Sequence, residues 1–341
     1  MKMESRGFEF DGAGNLIRRR LCAAVLIFCA LVVITSCGTP QHAAQSAPSP
    51  PFQYLGEWGA AGMQPGQFQN PQAFGTDGNG NVYIADDGKP SRVEEFSSLG
   101  QPLLVFNVAG NQNNRDVAVD SGNAIFIVDV RSAQVQIFSP EGEMIRTLSF
   151  RNRGLFSHPA SIAIEPSGEF YLADLESGRI ARMWPRGRIL QSWGKPAGLS
   201  VKRWTPYQLR LGTEGNLYVA DVENQRIEKI SGDGQYVSSW DFPFSELKSN
   251  RDGPKMYGLA VSGKFVVATD EAKRLLEIWT LDGQPKLTVN FSQHPEWGRN
   301  ASPADVAFTP KGELMVLDRG DARVLRFRIN ISNGESNSRG Q

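Results

Sequence analysis

The sequence predicts an all-β fold, a six-bladed β-propeller of four-stranded antiparallel blades, on three observations. A short strand pattern that ends in Asp recurs six times at intervals of 43 to 49 residues, at Asp86, Asp129, Asp174, Asp221, Asp270 and Asp318. Repeats of about 40–50 residues are typical of propeller blades. Each repeat also alternates apolar and polar residues between Gly-containing turns, as strands with two distinct faces require. Finally, the last repeat lacks a fourth strand, and a matching strand stands at the other end of the chain.

The N-terminal segment is typical of a secreted protein. Arg18-Arg19-Arg20 precede an uncharged, mostly apolar run from Leu21 to Ile34. As a helix this run would span about 21 Å, less than the ~30 Å hydrocarbon core of a membrane. The exit Ile34-Thr35-Ser36-Cys37-Gly38 resembles the lipobox of bacterial lipoproteins. We therefore expect residues 1–36 to be a lipoprotein signal peptide and Cys37 to be lipidated after cleavage, with an uncleaved anchor as the alternative.

Composition limits the chemistry of the chain that follows the predicted signal peptide. Residues 37–51 are expected to be the lipidated Cys and a flexible tether, because they are rich in Pro, Ala, Ser and Gln, and the polar tail 332–341 is expected to be disordered. All three cysteines precede residue 38, which excludes disulfides, thiolate metal ligands and a Cys nucleophile from residues 52–331. The formal net charge is zero, so no basic excess points to nucleic acid as a partner.

Four strands are predicted in each repeat. The first begins at or near a Pro, as at Pro71, Pro159, Pro206 and Pro303. A Gly-containing hairpin leads to the second strand, which ends on the recurring Asp, and the third often begins with Arg. The fourth strand ends on an aromatic residue that is expected to pack between neighbouring blades: Phe106, Phe150, Trp193, Trp240 or Phe291.

The strand missing from the sixth repeat is predicted at the N-terminus. Phe52 to Trp58 looks like the fourth strand Gly187 to Trp193, and it ends on the same residue type. We infer that it completes the last blade, because this kind of closure removes free sheet edges and ties the ring together. The predicted propeller is therefore residues 52–331.

The six recurring Asp residues are interpreted as structural. Six equivalent carboxylates cannot all be catalytic, so each is expected to close its loop by accepting backbone N–H bonds. In four repeats an Arg follows at nearly constant spacing and is expected to pair with the Asp across the turn: Asp86/Arg92, Asp174/Arg179, Asp221/Arg226 and Asp318/Arg323.

These repeats resemble the NHL family of six-bladed β-propellers. The resemblance is carried by Gly66-Gln-Phe-Gln-Asn-Pro71 with Asn81-Val-Tyr-Ile-Ala-Asp86, and again by Gly215 to Ile230, and it covers about residues 52–331. It implies the fold strongly and the function weakly, since such propellers serve as protein-binding or RNA-binding modules, as sensor ectodomains and occasionally as enzymes.

Enzymatic chemistry is the alternative function, as a divalent-metal hydrolase or lyase acting at the central channel. A zinc site like that of the similar amidating lyases needs several histidines, but His158 and His294 belong to different blades and His42 to the tether. Calcium would need oxygen ligands converging on the channel. Asp116 and Asp305 are placed to point there, yet two carboxylates are too few to assign a metal site. No catalytic residue is assigned and the cofactor is unknown. A calcium ion in the central channel is kept as an alternative.

Candidate binding residues lie on the face that carries the inter-blade loops. The three longest of these loops, Gly194–Thr205, Asp241–Met256 and Ser292–Ser302, carry aromatics that are expected to be exposed: Trp204, Phe242, Phe244 and Trp297. Residues at the starts of first strands are expected to rim the channel mouth: Arg115, His158, Tyr207 and Tyr257. Basic residues in or near these loops are interpreted as solvated loop charge: Arg153, Lys195, Lys202, Arg203, Arg210 and Arg251.

Together these observations predict a membrane-anchored lipoprotein of the cell envelope. Its expected partners are the membrane, through the lipid, and a protein or other envelope component, bound without catalysis. Gly38 after the Cys resembles sorting to the outer membrane in bacteria with two membranes, where the propeller would face the periplasm or the cell surface.

Overall fold

The described part of the chain begins with the strand that was expected to close the ring. A computed structural model describes residues 49–109, 114–150, 156–245 and 257–331. The predicted signal peptide, Cys37, most of the tether and the C-terminal tail lie outside these ranges. Strand β1 (Phe52–Trp58) is followed by a short parallel pair, β2 (Ala60–Ala61) and β3 (Gln67–Phe68). No helix in the described ranges is both long and apolar enough to cross a membrane.

Three consecutive four-stranded antiparallel sheets form the first half of the propeller. Blade 1 contains β4 (Pro71–Thr76), β5 (Val82–Asp86), β6 (Arg92–Phe96) and β7 (Pro102–Asn107). Blade 2 contains β8 (Asn114–Val119), β9 (Ile125–Asp129), β10 (Gln134–Phe138) and β11 (Met144–Ser149). Blade 3 contains β12 (Pro159–Ile164), β13 (Phe170–Asp174), β14 (Arg179–Met183) and β15 (Ile189–Trp193).

The second half repeats this arrangement. Blade 4 contains β16 (Pro206–Leu211), β17 (Leu217–Asp221), β18 (Arg226–Ile230) and β19 (Tyr236–Asp241). Blade 5 contains β20 (Leu259–Val261), β21 (Phe265–Asp270), β22 (Leu275–Thr280) and β23 (Pro285–Asn290), followed by two 3-10 helices, Phe291–Gln293 and Pro295–Trp297. Blade 6 contains β24 (Pro303–Phe308), β25 (Glu313–Asp318) and β26 (Arg323–Ile329).

Strand β1 supplies the fourth strand of blade 6, as the sequence predicted. It pairs antiparallel with β26, from Phe52 opposite Ile329 to Trp58 opposite Val324. The first strands of successive blades lie side by side, and β24 lies beside β4, so the ring is closed. The structure is therefore a six-bladed β-propeller in which the two ends of the described chain meet within one sheet.

The hydrophobic core is divided among the junctions between blades. Each of the six junctions has its own cluster of buried side chains. Both faces of a blade are covered by its neighbours, which is why second strands such as Val82–Asp86 and Leu217–Asp221 are buried along their whole length. At ~25 cal/mol per Å² of apolar surface removed from water, such burial is the main stabilising contribution to the ring.

Turn glycines let neighbouring blades approach closely. The glycine in the hairpin between third and fourth strands lies against a fourth-strand side chain of the preceding blade, so that a Cβ there would overlap that side chain. The pairs are Gly100 with Trp58, Gly142 with Phe106, Gly187 with Leu148, Gly234 with Trp193, and Gly283 with Trp240. The expectation that fourth-strand aromatics pack between blades is confirmed. Phe106, Trp193 and Trp240 lie at these glycine contacts, and Phe150 and Phe291 are buried in the cores between blades 2 and 3 and between blades 5 and 6.

Candidate functional site

The inter-blade loops all lie at one face of the ring, because each fourth strand ends there and the next first strand begins there. Near the axis on this face, Arg115 of blade 2 donates to the hydroxyl of Tyr207 in blade 4, and its guanidinium lies 5.0 Å from the centre of that ring. Tyr257 of blade 5 meets Tyr207 edge to face at 5.0 Å. Three of the expected channel-rim residues are therefore in contact. All three are largely buried, and burial raises the pKa of both tyrosines above the ordinary value.

His158, the fourth expected rim residue, lies apart from this cluster. Its side chain is 54% exposed, and Nδ1 lies 2.5 Å from Oε2 of Glu176 in the loop between the second and third strands of its own blade. The pair is a surface contact, and the structure gives His158 no contact with Arg115, Tyr207 or Tyr257 among the described residues.

The expectation of exposed loop aromatics is wrong. Trp204 and Trp297 are only 3% and 6% exposed, and Phe242 and Phe244 are buried as well. Trp297 packs against Phe291 and Phe327 with ring centres 5.3 and 4.9 Å apart. The physical reason is that each junction core ends at the loop face. A large apolar side chain from a loop that covers this end removes its own surface and that of the core from water, which is more favourable than facing solvent.

Trp204 is held by a buried carboxyl. Its indole N–H donates to Glu228 on the third strand of blade 4, and Glu228 is fully buried. Burial, followed by the charge of neighbouring Asp221, raises the pKa of Glu228 to about 8. In blades 1 and 2 the residue at the same position of the third strand also bonds to the preceding inter-blade loop. Glu94 accepts from Gly66 N at 2.8 Å, and Gln136 donates to Ala109 O at 2.5 Å. These contacts fix the loops to the blades.

Asp116 lies in the central channel, as its position predicted, and it is completely buried. Its carboxylate accepts from the backbone N–H of Val117 and of Ile162 in the next blade, both at 3.0 Å. It also accepts from Ser161 Oγ at 2.5 Å and from both terminal nitrogens of Arg210 in blade 4, at 2.9 and 3.1 Å. A bidentate Arg–carboxylate pair of this kind is strong and geometrically specific.

Asp305 repeats the arrangement in blade 6. Its Oδ1 accepts from Val306 N at 2.8 Å and from Gln208 Nε2 at 3.3 Å, and its Oδ2 accepts from Phe74 N of the next blade at 3.2 Å. Arg210 Nη2 is 3.9 Å away. Burial is the largest cause that raises the pKa of Asp305 to about 7; Arg210 opposes this shift and Asp116 adds to it.

A β-bulge positions these side chains. In five blades the pairing of the first and second strands shifts between the first and third residues of the first strand. A bulge redirects a side chain and frees backbone groups from the ladder. Here the third residue is Asp116, Ser161 or Asp305 in blades 2, 3 and 6, and its oxygen accepts the N–H of the fourth residue in the following blade.

Sequence reasoning missed Arg210 as a channel residue. It was interpreted as solvated loop charge, but it lies within β16 and its side chain is only 18% exposed. Ser161 and Gln208 were missed as well. Aligning the six first strands by their ends would have found Arg210, since the same position holds Gly or Ala in the other five blades: Gly75, Ala118, Ala163, Ala260 and Ala307.

The six recurring Asp carboxylates bridge loops. Each accepts at least one backbone N–H, for example Asn70 N to Asp86 at 2.6 Å and Ser302 N to Asp318 at 2.7 Å; the other four are Asp129, Asp174, Asp221 and Asp270. The ion pair across the turn forms in blades 1 and 6, where Asp86 and Asp318 lie 3.3 and 3.0 Å from their Arg partners.

Blades 3 and 4 depart from the expected ion pairs, because other donors occupy the carboxylates. Asp174 accepts four backbone N–H bonds, from Ser157, His158, Glu176 and Ser177. In blade 4, the side-chain amide of Asn224 donates to Asp221 at 2.6 Å. Among the salt bridges of the described residues, neither Arg179 nor Arg226 is paired with its Asp.

The described residues contain no cluster of three or more His, Cys, Asp or Glu side chains arranged to hold a metal ion. Arg210 lies between Asp116 and Asp305, so its guanidinium supplies the positive charge that a channel calcium would bring.

Comparison with known proteins supports the fold. No family model matches the sequence. Protein brain tumor of Drosophila melanogaster is 22% identical over 148 residues, which are 41% of this chain and only 14% of that protein. A streptogramin B lyase structure superposes with a TM-score of 0.58 at 16% identity, covering 82% of this chain and 98% of the other. A catalytically inactive virginiamycin B lyase from Staphylococcus aureus with quinupristin gives 0.57 at 11% identity, with coverage of 81% and 98%. At these identities the likeness shows the propeller fold alone.

Proposed function

We propose that this protein is a lipid-anchored propeller of the NHL type that binds a protein or another component of the cell envelope through its inter-blade loop face. The repeat pattern of Gly66 to Asp86 and of Gly215 to Ile230 supports the family, and the lipobox-like segment ending at Cys37 supports the anchor and the location in the envelope. The fold supports binding without requiring catalysis, because a propeller presents a broad face of loops on a rigid ring.

The observation that carries the proposal is the anchoring of two long inter-blade loops by buried tryptophans. Trp204 ends the loop 194–205, and Trp297 lies in the loop 292–302, and both are buried in junction cores. Their charged neighbours remain exposed on the same face, including Arg203 beside Trp204 and Glu296 and Arg299 beside Trp297. Loops fixed before binding lose little conformational entropy in a complex. Long irregular loops in a compact domain are usually functional.

The binding face is tested by photo-crosslinking of the full-length protein in its own cell envelope. A photoreactive amino acid replaces Arg203 or Arg299 on the loop face, and matched positions Asp233 and Lys311 carry it at hairpins of the opposite face. All four residues are exposed. We expect a discrete crosslinked species from the loop positions and none from the hairpin positions. Equal labelling of both faces, or none from the loops, contradicts the proposed binding face.

A further inference from the structure

The hairpin that joins the third and fourth strands of blade 3, residues 184–188, departs from its counterparts at its first residue. In blades 1, 2, 4 and 5 this residue is Ser or Thr, and its hydroxyl accepts the backbone N–H four residues later, which closes the turn. The four residues are Ser97, Ser139, Ser231 and Thr280, with distances of 3.2, 3.3, 3.0 and 3.1 Å. Blade 3 has Trp184 at this position, and an indole N–H cannot act as this acceptor. The requirements of the turn therefore do not explain Trp184.

Trp184 does not serve a core either. It is 40% exposed, whereas the other tryptophans in the described part of the chain are buried or half-buried. Within the described residues, the six junction cores are formed without it. An exposed tryptophan that serves neither its turn nor a core is available for contact with another molecule, through its apolar ring and its N–H.

Two exposed arginines complete this hairpin. The guanidinium of Arg188 lies 5.8 Å from the centre of the Trp184 ring, and an open groove is bounded by Trp184, Pro185, Arg186 and Arg188. Among the salt bridges of the described residues, neither arginine has an acidic partner. The hairpin thus presents two positive charges beside an aromatic ring. The hairpins at the same place in blades 1, 2, 4 and 5 are neutral or acidic, and their acidic residues are Glu141, Glu143, Asp233 and Asp282.

The chain enters the propeller at the same face as this hairpin. Third strands end and fourth strands begin at the face opposite the inter-blade loops, which we call the hairpin face. In blade 6 the fourth strand is β1, so two separate chain segments take the place of the hairpin, and Asn330 N donates to Pro51 O at 2.9 Å. Residues 38–51 separate this point from the predicted lipid at Cys37, and fourteen residues span at most ~50 Å. The hairpin face is therefore the part of the propeller nearest to the lipid along the chain.

Tryptophan and arginine together suit the surface of a membrane. Tryptophan rings lie at the headgroup level of bilayers, and arginine is attracted to acidic phospholipids while its apolar stem lies along apolar surface. A stable protein–protein interface buries about 800 Å² on each partner, which is more than a five-residue hairpin presents. A membrane contact can be much smaller in a protein that is already anchored to the bilayer, because the tether keeps the effective concentration high.

We propose that residues 184–188 of blade 3 rest on the membrane to which the protein is anchored, with Trp184 among the headgroups and Arg186 and Arg188 against the phosphates of acidic phospholipids. This inference rests on the lipid anchor of the proposed function and adds an orientation to it. With the hairpin face toward the bilayer, the inter-blade loops point away from the membrane. The acidic hairpins of blades 2, 4 and 5 are repelled by such a surface, so the contact is concentrated at blade 3.

The test is photo-crosslinking of the full-length protein in vesicles of phosphatidylcholine, with or without an equal amount of phosphatidylglycerol. A photoreactive leucine analogue replaces Leu190, which follows the hairpin and is exposed. Its matched control is Val237, the same position of blade 4, because both residues are exposed and both are the unpaired residue of a bulge in the fourth strand. We expect a lipid adduct in the intact mass at Leu190 when phosphatidylglycerol is present. The adduct is expected to be about 5-fold or more weaker without phosphatidylglycerol, and likewise at Val237.

Two variants separate the contact from the fold. Arg186→Gln with Arg188→Gln removes both charges and is expected to lower the adduct at Leu190 by about 5-fold or more. Trp184→Ser supplies the hydroxyl found in the other blades, so it should keep the melting temperature and still lower the adduct. As the matched control, Lys89→Gln with Lys202→Gln removes the same charge from exposed positions of the loop face and should leave the adduct unchanged.

The outcomes for the anchor and for the contact are distinct. Failure of the protein to float with pure phosphatidylcholine vesicles contradicts the anchor. Whether or not the protein floats, the contact is overturned by the absence of a lipid adduct at Leu190, by equal adducts at Leu190 and Val237, or by an unchanged adduct in either variant. In native envelope membranes, a protein adduct at Leu190 in place of the lipid adduct would overturn the membrane contact in favour of an acidic protein partner.

Discussion

The indole of Trp58 lies against Gly100 at the junction where blade 6 meets blade 1, and a Cβ on Gly100 would overlap it. Trp58 belongs to the N-terminal strand, so this contact joins the strand that closes the ring to the blade that follows it in space. Trp58 also lies 4.6 Å from Phe96 of blade 1, measured between ring centres. The junction between the ends of the described chain thus has the same packing device as the junctions between consecutive blades.

Removal of the closing strand should destabilise the whole propeller. A chain that starts at Gly59 lacks β1, exposes the edge of β26 and loses the contacts of Trp58 and Phe52, whereas a chain that starts at Pro51 keeps them. Both rings are partly buried. Truncating a fully buried aromatic costs ~3–5 kcal/mol, so the loss of two partly buried rings and a whole strand is large against a total stability of about 5–15 kcal/mol. We expect aggregation or a much lower melting temperature for the shorter chain only. Equal melting temperatures would show that β1 is dispensable.

The contact between Trp58 and Gly100 can be tested separately from backbone strain. Gly100→Ala places a methyl against the indole at a position with φ of 84°, and Gly312→Ala places one in open space at φ of 79°. Both substitutions bear the left-handed backbone cost of about 1–2 kcal/mol. Only Gly100→Ala adds overpacking of about 1–3 kcal/mol. Urea unfolding should therefore show the larger loss for Gly100→Ala, and equal losses would mean that the indole moves aside freely.

Glu228 should make stability fall as pH rises. Its pKa is raised from 4.5 to about 8 by burial and by Asp221, so the folded state binds its proton more tightly than the unfolded state. The stabilisation is complete below about pH 4.5 and is lost as pH rises through about 8. Glu228→Gln still accepts from Trp204 and removes this dependence. The difference between the melting temperature of Glu228→Gln and that of the unaltered protein should therefore increase from about pH 5 to about pH 8.5, a range that includes the raised pKa of Glu228. The exposed control Glu143→Gln should show no such trend.

The buried carboxylate of Asp116 should depend on the positive charge of Arg210 for the stability of the fold. Arg210→Met leaves the buried carboxylate without its counter-ion, and breaking a buried pair from one side costs about 3–5 kcal/mol. Adding Asp116→Asn to Arg210→Met removes the unpaired charge, and the double variant is expected to recover part of the loss in thermal unfolding. A double variant less stable than Arg210→Met alone would show that the charge pair is not the origin of the effect.

Cys37 should determine attachment to the membrane. Cys37→Ser removes the thiol that both acylation and cleavage need, so the protein is expected to leave the detergent phase or to remain as the uncleaved precursor. Phase partition and intact mass report the two outcomes. Cys29→Ser, within the apolar segment, is the matched control and should mature normally. Unchanged partition and mass for Cys37→Ser would reject the lipoprotein assignment.

The blades could be predicted because each one repeats its own local signals. Asp86 and its five counterparts mark the end of every second strand, and Gly100 and its counterparts mark the hairpins. Each blade therefore checks the strand boundaries assigned to the other blades. The closing strand was predictable for the same reason, since Phe52 to Trp58 has the spacing of a fourth strand.

Two of the corrections arise where the repeat gives no information. Trp204 and Trp297 belong to irregular loops, where no periodicity distinguishes a buried ring from an exposed one. Arg210 stands in a strand whose alternation allows either a solvent-facing or a channel-facing charge. Its partner Asp116 is 94 residues away, and only the closure of the ring brings the two together.

The pairing of Phe52 with Ile329 also fixes an order of events during folding. Blades 1 to 5 each consist of neighbouring segments of chain and can form as soon as those segments are available. Strand β1 is made first and has no neighbour in sequence to pair with, so it waits for β26, the last strand of the propeller to be made. Bringing such distant segments together costs loop-closure entropy and slows folding. Until that encounter, β1 and β26 are both unpaired edges, and this interval is when the chain is most exposed to joining a second copy of itself instead.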